Sequence, residues 1–573
     1  MQVQKWAYYA RQGKPGYKRT MGNELNNELF AAIYRQDLTA VTELIEKGAD
    51  FNAKGFGNYT AVSLAVEKGN IGIINELIRA GAKVDNKNEK NSTELIAAIK
   101  KDNEEMAKIL IKAGSNINAQ DFDHNTALMI AVERENPRII EELVINKADV
   151  NAKNPENNTA LIFAVHKENL EIIRVLLKAG ADINARGAGR KTPLLIAVEK
   201  GNLAIIKQLL KSGGIDVNIR DFDGNTPLIL ASIKGDTDIV KELILAGADV
   251  NAVGYGNYTA LILAVENEHS EIVKELLRTK ALVNVENNDG ETPLIIAVKK
   301  GNIEILRELI KFKADVNAKD LQGSTALMLA VDKNKNEIAA ELIKNGAGIN
   351  EKDNKKNTAL IRAAEKGETE IVKELLGAVP PADINANGFG GYTALMLASK
   401  NGHMAVVEIL LKSGAEVNLR GFGKYTALIF AVENSRNAIA AKLMNAGADI
   451  NAKNLFGQNP LMIAAEKGMN LLAKGLLIHK ADINEKDINQ NTALMIAAEK
   501  GHTEIVDMLI NAGAYINVQN KAGDTALIIA AREAHADIVS KLLRSNGDRN
   551  IINSESQNAF EAAKNDEIRD MLK

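Results

Sequence analysis

The amino-acid sequence predicts an all-α repeat solenoid, and the main observation behind this prediction is a recurrent motif. A stretch close to Thr-Ala-Leu-hydrophobic-hydrophobic-Ala returns every 33 residues along almost the whole 573-residue chain, with one step of 34 and one of 35. A fixed period of this length is typical of stacked repeats, each of which packs only on its neighbours. The motif begins at Thr60, Thr93, Thr126, Thr159, Thr192, Thr226, Thr259, Thr292, Thr325, Thr358, Thr393, Thr426, Asn459, Thr492 and Thr525.

Each period contains two short helical segments and a polar loop, as residues 52–84 illustrate. Thr60 has a hydroxyl that caps a helix N-terminus, and the apolar stretch 62–66 follows it. The second segment places apolar side chains at helical spacing over 71–78 and ends near Gly81. The polar stretch 83–92 is predicted to be an exposed loop. We call the loop between a second helix and the next motif threonine a finger.

Several motifs within the period resemble the ankyrin repeat. Thr-Pro-Leu stands at 192–194, 226–228 and 292–294, and Gly-Ala-Asp-hydrophobic-Asn-Ala at 180–185 and 247–252. The resemblance covers residues 23–573 and implies stacked helix-turn-helix repeats with projecting β-hairpin-like fingers in a curved superhelix. Where the family commonly has histidine after Thr-Pro-Leu, this chain mostly has Ile or Met. That departure predicts apolar packing in place of a polar contact.

The register of the motif predicts the organisation of the chain. We expect a basic aromatic N-terminal extension over 1–22, a capping repeat over 23–55, fifteen internal repeats over 56–554 and a second capping repeat over 555–573. The terminal copies are degenerate and more polar, as capping repeats are. An asparagine also recurs within each finger, for example at Asn151, and we expect its side chain to close the finger turn by local hydrogen bonds.

Composition excludes several classes of function. The net charge is −3, which gives no general attraction to nucleic acid or to an anionic membrane. There is no cysteine, so disulfides, thiolate nucleophiles and cysteine-based zinc sites are absent from the sequence. No apolar run approaches the roughly 18 residues of a membrane-spanning helix. We therefore expect a cytoplasmic protein, and the Asn/Lys/Ile-rich composition indicates a microbial source.

No motif predicts catalysis, a metal site or a cofactor. The seven histidines lack metal-ligand spacing, and three of them, His403, His502 and His535, occupy a helix-turn position with a structural role in the family that the chain resembles. The run 187–192 (Gly-Ala-Gly-Arg-Lys-Thr) lacks the Gly-Lys-Thr order of a phosphate-binding loop. We expect no enzyme activity and no small-molecule cofactor.

Nucleic-acid binding is the alternative that the charges raise. A base follows many of the recurrent asparagines, as Lys153 and Lys319 do, but acids such as Asp320 come directly after several of them. This column predicts a salt-bridged edge and argues against a nucleic-acid groove, which needs unopposed charges. The extension 1–22 has Trp6, five basic residues and no acid, so it is the candidate for a nucleic-acid or anionic-surface binder.

The candidate partner-binding residues are aromatic residues in the fingers. Four fingers share Gly-[Phe/Tyr]-Gly-x-Tyr-Thr, at 55–60, 254–259, 388–393 and 421–426. The flanking glycines allow a backbone that pushes the first ring outward, and exposed aromatic rings concentrate binding energy. The alternative is that the rings pack on neighbouring fingers. The candidates are Phe56, Tyr59, Tyr255, Tyr258, Phe389, Tyr392, Phe422 and Tyr425, and the adjacent fingers 388–393 and 421–426 form the best single patch.

Taken together, these patterns and the resemblance predict a non-enzymatic protein–protein interaction scaffold. The partner is expected on the finger loops and on the concave face of the first helices. Two roles fit, a regulatory adaptor in the producing cell and an effector translocated into another cell.

Overall fold

The computed structural model describes residues 24–88 and 91–573, and the chain divides into two units, 1–282 and 283–573. Both units are built from helix pairs. The predicted extension 1–22 and residue 23 of the predicted first capping repeat lie outside the described residues.

Unit 1 consists of successive pairs of antiparallel helices. Its helices are α1 Glu24–Arg35 and α2 Leu38–Glu46, α3 Ala61–Lys68 and α4 Ile71–Arg79, α5 Glu94–Lys100 and α6 Glu104–Lys112, α7 Ala127–Glu133 and α8 Pro137–Ile145, α9 Ala160–His166 and α10 Leu170–Lys178, α11 Pro193–Lys200 and α12 Leu203–Lys211, α13 Pro227–Lys234 and α14 Thr237–Leu245, α15 Ala260–Glu266 and α16 Ser270–Arg278.

Unit 2 repeats the same arrangement. Its helices are α17 Pro293–Lys300 and α18 Ile303–Lys311, α19 Ala326–Asp332 and α20 Asn336–Lys344, α21 Ala359–Lys366 and α22 Thr369–Gly377, α23 Ala394–Asn401 and α24 Met404–Lys412, α25 Ala427–Glu433 and α26 Asn437–Asn445, α27 Pro460–Glu466 and α28 Asn470–Ile478, α29 Ala493–Lys500 and α30 Thr503–Asn511, α31 Ala526–Arg532 and α32 Ala536–Arg544, α33 Ala559–Ala562 and α34 Asp566–Leu572.

The motif threonine begins the first helix of its pair, as the sequence predicts. Thr60 Oγ1 accepts a hydrogen bond from the amide of Ser63 at 3.2 Å, and Thr426 Oγ1 accepts from the amide of Ile429 at 3.2 Å. Asn459 does the same with its carboxamide, which accepts from the amide of Met462 at 2.9 Å. Each such cap stabilises its helix by about 1 kcal/mol because it satisfies an amide that has no partner within the helix.

The core of each unit lies between successive first helices and between the two helices of a pair. First helices are buried over most of their length, as α7 shows, where Ala127 to Val132 are all buried. The methionines in the position where the resembled family has histidine, such as Met129 and Met462, are buried side chains of this core. Apolar packing therefore holds the pairs together, as the sequence predicts.

The recurrent asparagine joins neighbouring repeats, and the prediction that it closes its own turn is wrong. Asn151 Oδ1 accepts from the amide of Asp182, 31 residues further along, at 2.7 Å, and its Nδ2 donates to the carbonyl of Gly180 at 3.1 Å. The local turn is closed by Asp149, whose carboxylate accepts from the amide of Asn151 at 2.9 Å. The same inter-repeat acceptance occurs at Asn52, Asn118, Asn184, Asn218, Asn251, Asn284, Asn317, Asn350, Asn385, Asn418, Asn451, Asn484 and Asn517.

One interface between repeats in unit 1 is polar. Glu94 is 2% exposed and occupies the position where most repeats have alanine or proline. Its Oε1 accepts from Ser63 Oγ at 2.6 Å and from Thr60 Oγ1 at 3.4 Å, and its Oε2 accepts from the amide of Asn86 at 3.0 Å. Burial is the main cause that raises the pKa of Glu94 to about 7, because the charged form loses hydration.

The fingers are short loops. Within residues 24–88 and 91–573 they contain isolated antiparallel bridges, between Gln120 and Thr126, Val253 and Thr259, and Lys319 and Thr325, and no extended strand. In the finger after α18, the amide of Asp320 donates to the carbonyl of Ser324 at 3.0 Å. The Asp320 carboxylate accepts from the amides of Gln322 and Ser324 at 3.0 and 2.8 Å.

Candidate functional site

The four aromatic fingers share one backbone conformation. In each, the amide of the first glycine donates to the carbonyl of the tyrosine, at 2.8 to 2.9 Å, around a single 3-10 turn. The second glycine has a positive φ, between 68° and 75°. A Cβ on Gly423 would lie 2.8 Å from the Tyr425 ring, so this position is restricted to glycine by both space and backbone angle.

A fifth finger has the same conformation without the aromatic rings. Gly187 donates to the carbonyl of Lys191 at 3.0 Å, and Gly189 has a φ of 63°. Sequence reasoning missed it as a finger of this type because it considered the run only as a phosphate loop. The Gly-x-Gly spacing before Thr192 was the signal that identifies it. Ala188 and Lys191 stand where the other four fingers have Phe or Tyr.

The first aromatic residue of the motif is exposed. Tyr255 is 85%, Phe389 69% and Phe422 72% exposed, although an exposed ring of this size forgoes the burial that would stabilise it. This placement agrees with the hypothesis that the glycines push the ring outward. The side chain of Phe56 lies outside the described part of the structure. That these rings contact a partner stays a prediction.

The second aromatic residue supports the finger from below. Tyr392 and Tyr425 both pack on Phe430 of α25. The Tyr392 and Phe430 ring centroids are 5.2 Å apart in an edge-to-face contact, and those of Tyr425 and Phe430 are 4.7 Å apart in a stacked contact. Tyr425 Oη also donates to Glu433 Oε1 at 3.0 Å. Burial of the hydroxyl is the main cause that raises the pKa of Tyr425 to about 12, and the hydrogen bond to Glu433 is the second cause. The structure thus brings fingers 388–393 and 421–426 together over one ring. Tyr59 and Tyr258 are likewise half-buried.

Exposed apolar residues at the same tip position extend the candidate site beyond the predicted aromatic residues. Sequence reasoning missed the aliphatic ones because it searched for aromatic residues alone, whereas the shared finger position was the available signal. The tips at this position, four residues before the helix cap, are Phe122 and Phe222 in unit 1 and Leu321, Leu455 and Ile488 in unit 2, and they are between 51% and 79% exposed. Phe456 follows Leu455 directly and is 57% exposed.

Backbone hydrogen bonds join neighbouring finger tips within unit 2. The amide of Leu455 donates to the carbonyl of Gly423 at 2.9 Å, and the amide of Ile488 donates to the carbonyl of Phe456 at 3.0 Å. The amide of Lys521 donates to the carbonyl of Asn489 at 2.9 Å. Earlier in unit 2, the amide of Phe389 donates to Asn357 Oδ1 at 2.9 Å. Consecutive apolar tips are therefore held in a fixed row before any partner binds.

The predicted salt bridges along the basic column are formed differently from the prediction. Asp353 and Asp487, which follow bases of the column directly, are buried and accept hydrogen bonds from the amides of their own finger turns. Where ion pairs form, the base reaches an acid of the next repeat. Lys319 Nζ lies 2.7 Å from Glu351 Oε2, Lys453 pairs with Glu485, and Arg420 lies 3.6 Å from Asp449. The acids next in sequence therefore accept hydrogen bonds from backbone amides of the finger turn and do not pair with the adjacent base.

The histidines and carboxylates of the described residues form no cluster of metal ligands. Among them, no group of three or more His, Asp or Glu side chains is placed to hold a metal ion. His403 Nε2 lies 3.0 Å from the carbonyl of Glu365, and His535 Nε2 lies 3.1 Å from that of Glu499, so these rings join one helix pair to the preceding one. Residues 24–88 and 91–573 contain no helix with the length and apolar character required to cross a bilayer.

A groove of about 790 Å³ in unit 2 is lined by residues that form ion pairs with one another. Arg362 of α21 stands where first helices otherwise mostly have an apolar residue. Its guanidinium lies 2.5 Å from Asp332 Oδ2 and 2.5 Å from Asp353 Oδ2, and it donates to Ser324 Oγ at 2.8 Å. Two carboxylates already neutralise this arginine, so the groove offers no unpaired guanidinium to a ligand.

Comparison with known families matches the repeats directly. The family described as Ankyrin repeats (3 copies) matches the chain in ten overlapping segments that together span residues 29–554. The chain belongs to the ankyrin-repeat family. Ankyrin repeats generally mediate protein–protein interactions, and ankyrin-repeat proteins are typically non-enzymatic scaffolds. Comparison of this ankyrin-repeat protein with curated proteins gave no match.

Proposed function

We propose that this ankyrin-repeat protein is a non-enzymatic scaffold that binds a protein partner through the exposed finger tips of unit 2 and the adjoining first helices. The observation that carries the proposal is the pair Phe389 and Phe422, two exposed rings on adjacent fingers that share one support at Phe430. Rigid exposed aromatic rings bury a large area at a small cost in side-chain entropy. Tyr392 and Tyr425 contribute chiefly by holding the two fingers in place.

The other predicted residues fit the proposal to different degrees. Tyr255 is as exposed as the pair in unit 2, and it is a further contact. Tyr59 and Tyr258 are half-buried, and in this proposal they support their fingers. Phe56 is included as a contact only because it occupies the first aromatic position of the same motif. A cytoplasmic scaffold serves equally as a regulatory adaptor or as a translocated effector, and the partner's identity distinguishes the two roles.

The proposal is tested by partner capture with matched variants. Intact protein, Phe389→Ala with Phe422→Ala, and Phe122→Ala with Phe222→Ala are immobilised and exposed to cell extract, and bound proteins are identified by mass spectrometry. We expect one abundant partner to be lost from the first variant and kept by the second, which removes the same number of exposed rings. Equal recovery by all three proteins contradicts the proposed site.

The alternative binder of nucleic acid or anionic surfaces is tested in the same series. Heparin retention at about 0.15 M salt that disappears on removal of residues 1–22 supports that alternative, because screening at this ionic strength removes weak non-specific attraction.

A further inference from the structure

We infer that the finger tips of unit 2 recognise an extended, acidic polypeptide segment with an apolar side chain at every third residue. The inference rests on the proposed function, because it specifies the chemistry of the partner at the same surface. We call this surface the finger ridge. It consists of the part of six consecutive fingers that runs from the recurrent asparagine to the residue before the helix cap, residues 350–357, 385–392, 418–425, 451–458, 484–491 and 517–524.

Charge is segregated on the finger ridge. Every charged residue of the ridge that is exposed is basic, and these residues are Lys352, Lys355, Lys356, Arg420, Lys424 and Lys521. The acids of the ridge are either buried or paired with a lysine. Asp353, Asp487 and Asp524 are buried, while Glu351 and Glu485 pair with lysines. On the finger of Phe422, Arg420 lies 3.6 Å from Asp449, and Lys424 has no such ion pair in the structure. The other exposed bases lie on the fingers that flank the apolar tips, before Phe389 and after Ile488. Exposed acids stand in the same loops before the ridge segments, at Asp383, Glu416, Asp449 and Asp482, so the positive charge is confined to the ridge itself.

The exposed tips Phe122 and Phe222 in unit 1 have different surroundings. Phe122 is followed by Asp123 and Phe222 by Asp223, and both aspartates are exposed. An acidic partner is therefore repelled at Phe122 and gains no net attraction at Phe222, where the exposed Arg220 and Asp223 offset each other. The tips of unit 1 and of the ridge are similar in size and exposure, so the charge around them is the difference between the two sets. That charge favours a partner of opposite charge at each set.

The spacing of the tips favours an extended chain. Helices that pack side by side lie about 8–10 Å apart, so consecutive fingers present their tips at about that interval. A polyproline II segment has three residues per turn and rises about 3.1 Å per residue, which places every third side chain on one face about 9 Å apart. The inter-finger hydrogen bonds at Leu455 and Ile488 hold the tips at this interval before binding.

The composition of the tips favours polypeptide over single-stranded nucleic acid. Bases bind by stacking on aromatic rings. Leu455 and Ile488 are aliphatic tips in the same row as Phe389 and Phe422, and they offer no ring for stacking. Apolar side chains of a peptide pack equally well against both kinds of tip.

The first test needs no variant of the protein. A fluorescein-labelled peptide of about six Leu-Glu-Pro repeats, which favour polyproline II, is titrated with the full chain and followed by fluorescence anisotropy. We expect it to bind at least about tenfold more tightly than a peptide of the same composition ordered Leu-Leu-Glu-Glu-Pro-Pro, and more tightly than its Leu-Lys-Pro counterpart. Raising the salt should weaken binding, because the attraction is between exposed charges.

Variants locate the peptide on the ridge. Lys356 and Lys424 occupy equivalent positions with positive φ, so Lys356→Glu with Lys424→Glu should weaken binding about tenfold or more. Phe389→Ala with Phe422→Ala should do the same. The controls are Lys147→Glu, also exposed and at positive φ, and Phe222→Ala, and both should bind as the intact protein does. Circular dichroism verifies that each variant is folded.

Several outcomes overturn the inference. These are no binding of the Leu-Glu-Pro peptide, equal binding of its Leu-Lys-Pro counterpart, and tighter binding of oligouridylate than of the peptide. If the peptide fails while the captured partner still depends on Phe389 and Phe422, the inference is wrong and the proposed function stands. If the capture also shows no dependence on the two rings, both are wrong.

Discussion

At the scale of single residues, a buried carboxyl makes one interface between repeats sensitive to pH. Glu94 accepts hydrogen bonds from Ser63 and Thr60 of the preceding repeat, while its burial raises its pKa to about 7 from an ordinary value of 4.5. The folded protein therefore binds this proton more tightly than the unfolded chain does. The stabilisation is complete below pH 4.5, falls as the pH rises through 7, and is absent above it.

Replacing this carboxyl should flatten the pH dependence. Between pH 4.5 and pH 8 the intact protein should lose about 3 kcal/mol of unfolding free energy that Glu94→Gln keeps, because the amide has no proton to release. Urea unfolding monitored by circular dichroism at both pH values measures the difference. Parallel pH profiles of the two proteins would show that Glu94 does not retain its proton on folding.

The residue scale also shows which bonds are visible in a sequence. Thr60 and Asn459 were predictable as caps because their partners lie three residues away in the chain. The role of Asn151 was not, since its partner lies 31 residues away and becomes a neighbour only when the repeats stack. An asparagine near a turn suggests a local bond, and the nearby Asp149 makes that bond instead.

At the scale of elements, a finger is stabilised by the helix beneath it. Phe430 is 5% exposed and contacts the rings of both Tyr392 and Tyr425. Phe163 occupies the same position of α9 but is only half-buried, and the next finger has Lys191 in place of the supporting tyrosine. The aromatic fingers and their outward rings were predictable from the glycine spacing. The shared support at Phe430 was not, because it needs the contact between two fingers and a helix.

Truncation of the supporting ring should cost much more than truncation of a tip. We expect Phe430→Ala to lower the free energy of unfolding by about 3 kcal/mol or more, because it leaves a cavity under two rings. Phe422→Ala should change it by less than about 0.5 kcal/mol, as for other exposed positions. Phe163→Ala is the matched control and should fall between them. Equal losses for Phe430→Ala and Phe422→Ala, measured by urea unfolding, would contradict this division of roles.

At the scale of the whole molecule, contacts join each repeat to its neighbours in the chain. The asparagine bonds and the finger-to-finger bonds each reach one repeat further along. The period in the sequence predicted this architecture, since every copy of the motif repeats the same capping and packing residues. The division into units 1–282 and 283–573 was not predictable, because the motif continues through position 282 without a change.

Short-range coupling predicts that damage stays local. In Phe430→Ala, hydrogen exchange measured by mass spectrometry should quicken in residues 385–460, whose helices and fingers adjoin the cavity. Amides of residues 100–200 should exchange at the rate of the intact protein, because stability in repeat proteins is a sum of terms between neighbours. Faster exchange across both segments would show that the chain unfolds as one cooperative body.

The asparagine bond also has a consequence for the length of the chain. Asn418 accepts from the amide of Asp449, and Asn451 accepts from the amide of Asp482. Because both donors occupy the same position of their repeats, either one can serve as the partner of Asn418. Excision of residues 419–451 would leave Asn418 followed by Ala452 in the place of Leu419, with Asp482 as its new donor. Genetic gain or loss of one period therefore restores every such bond. The one-residue and two-residue insertions that the chain already contains lie between an asparagine and its donor and keep the bond, since Asn184 accepts from the amide of Asp216 and Asn350 from that of Asp383. The bond thus tolerates a longer connection within a repeat as well as a change in the number of repeats.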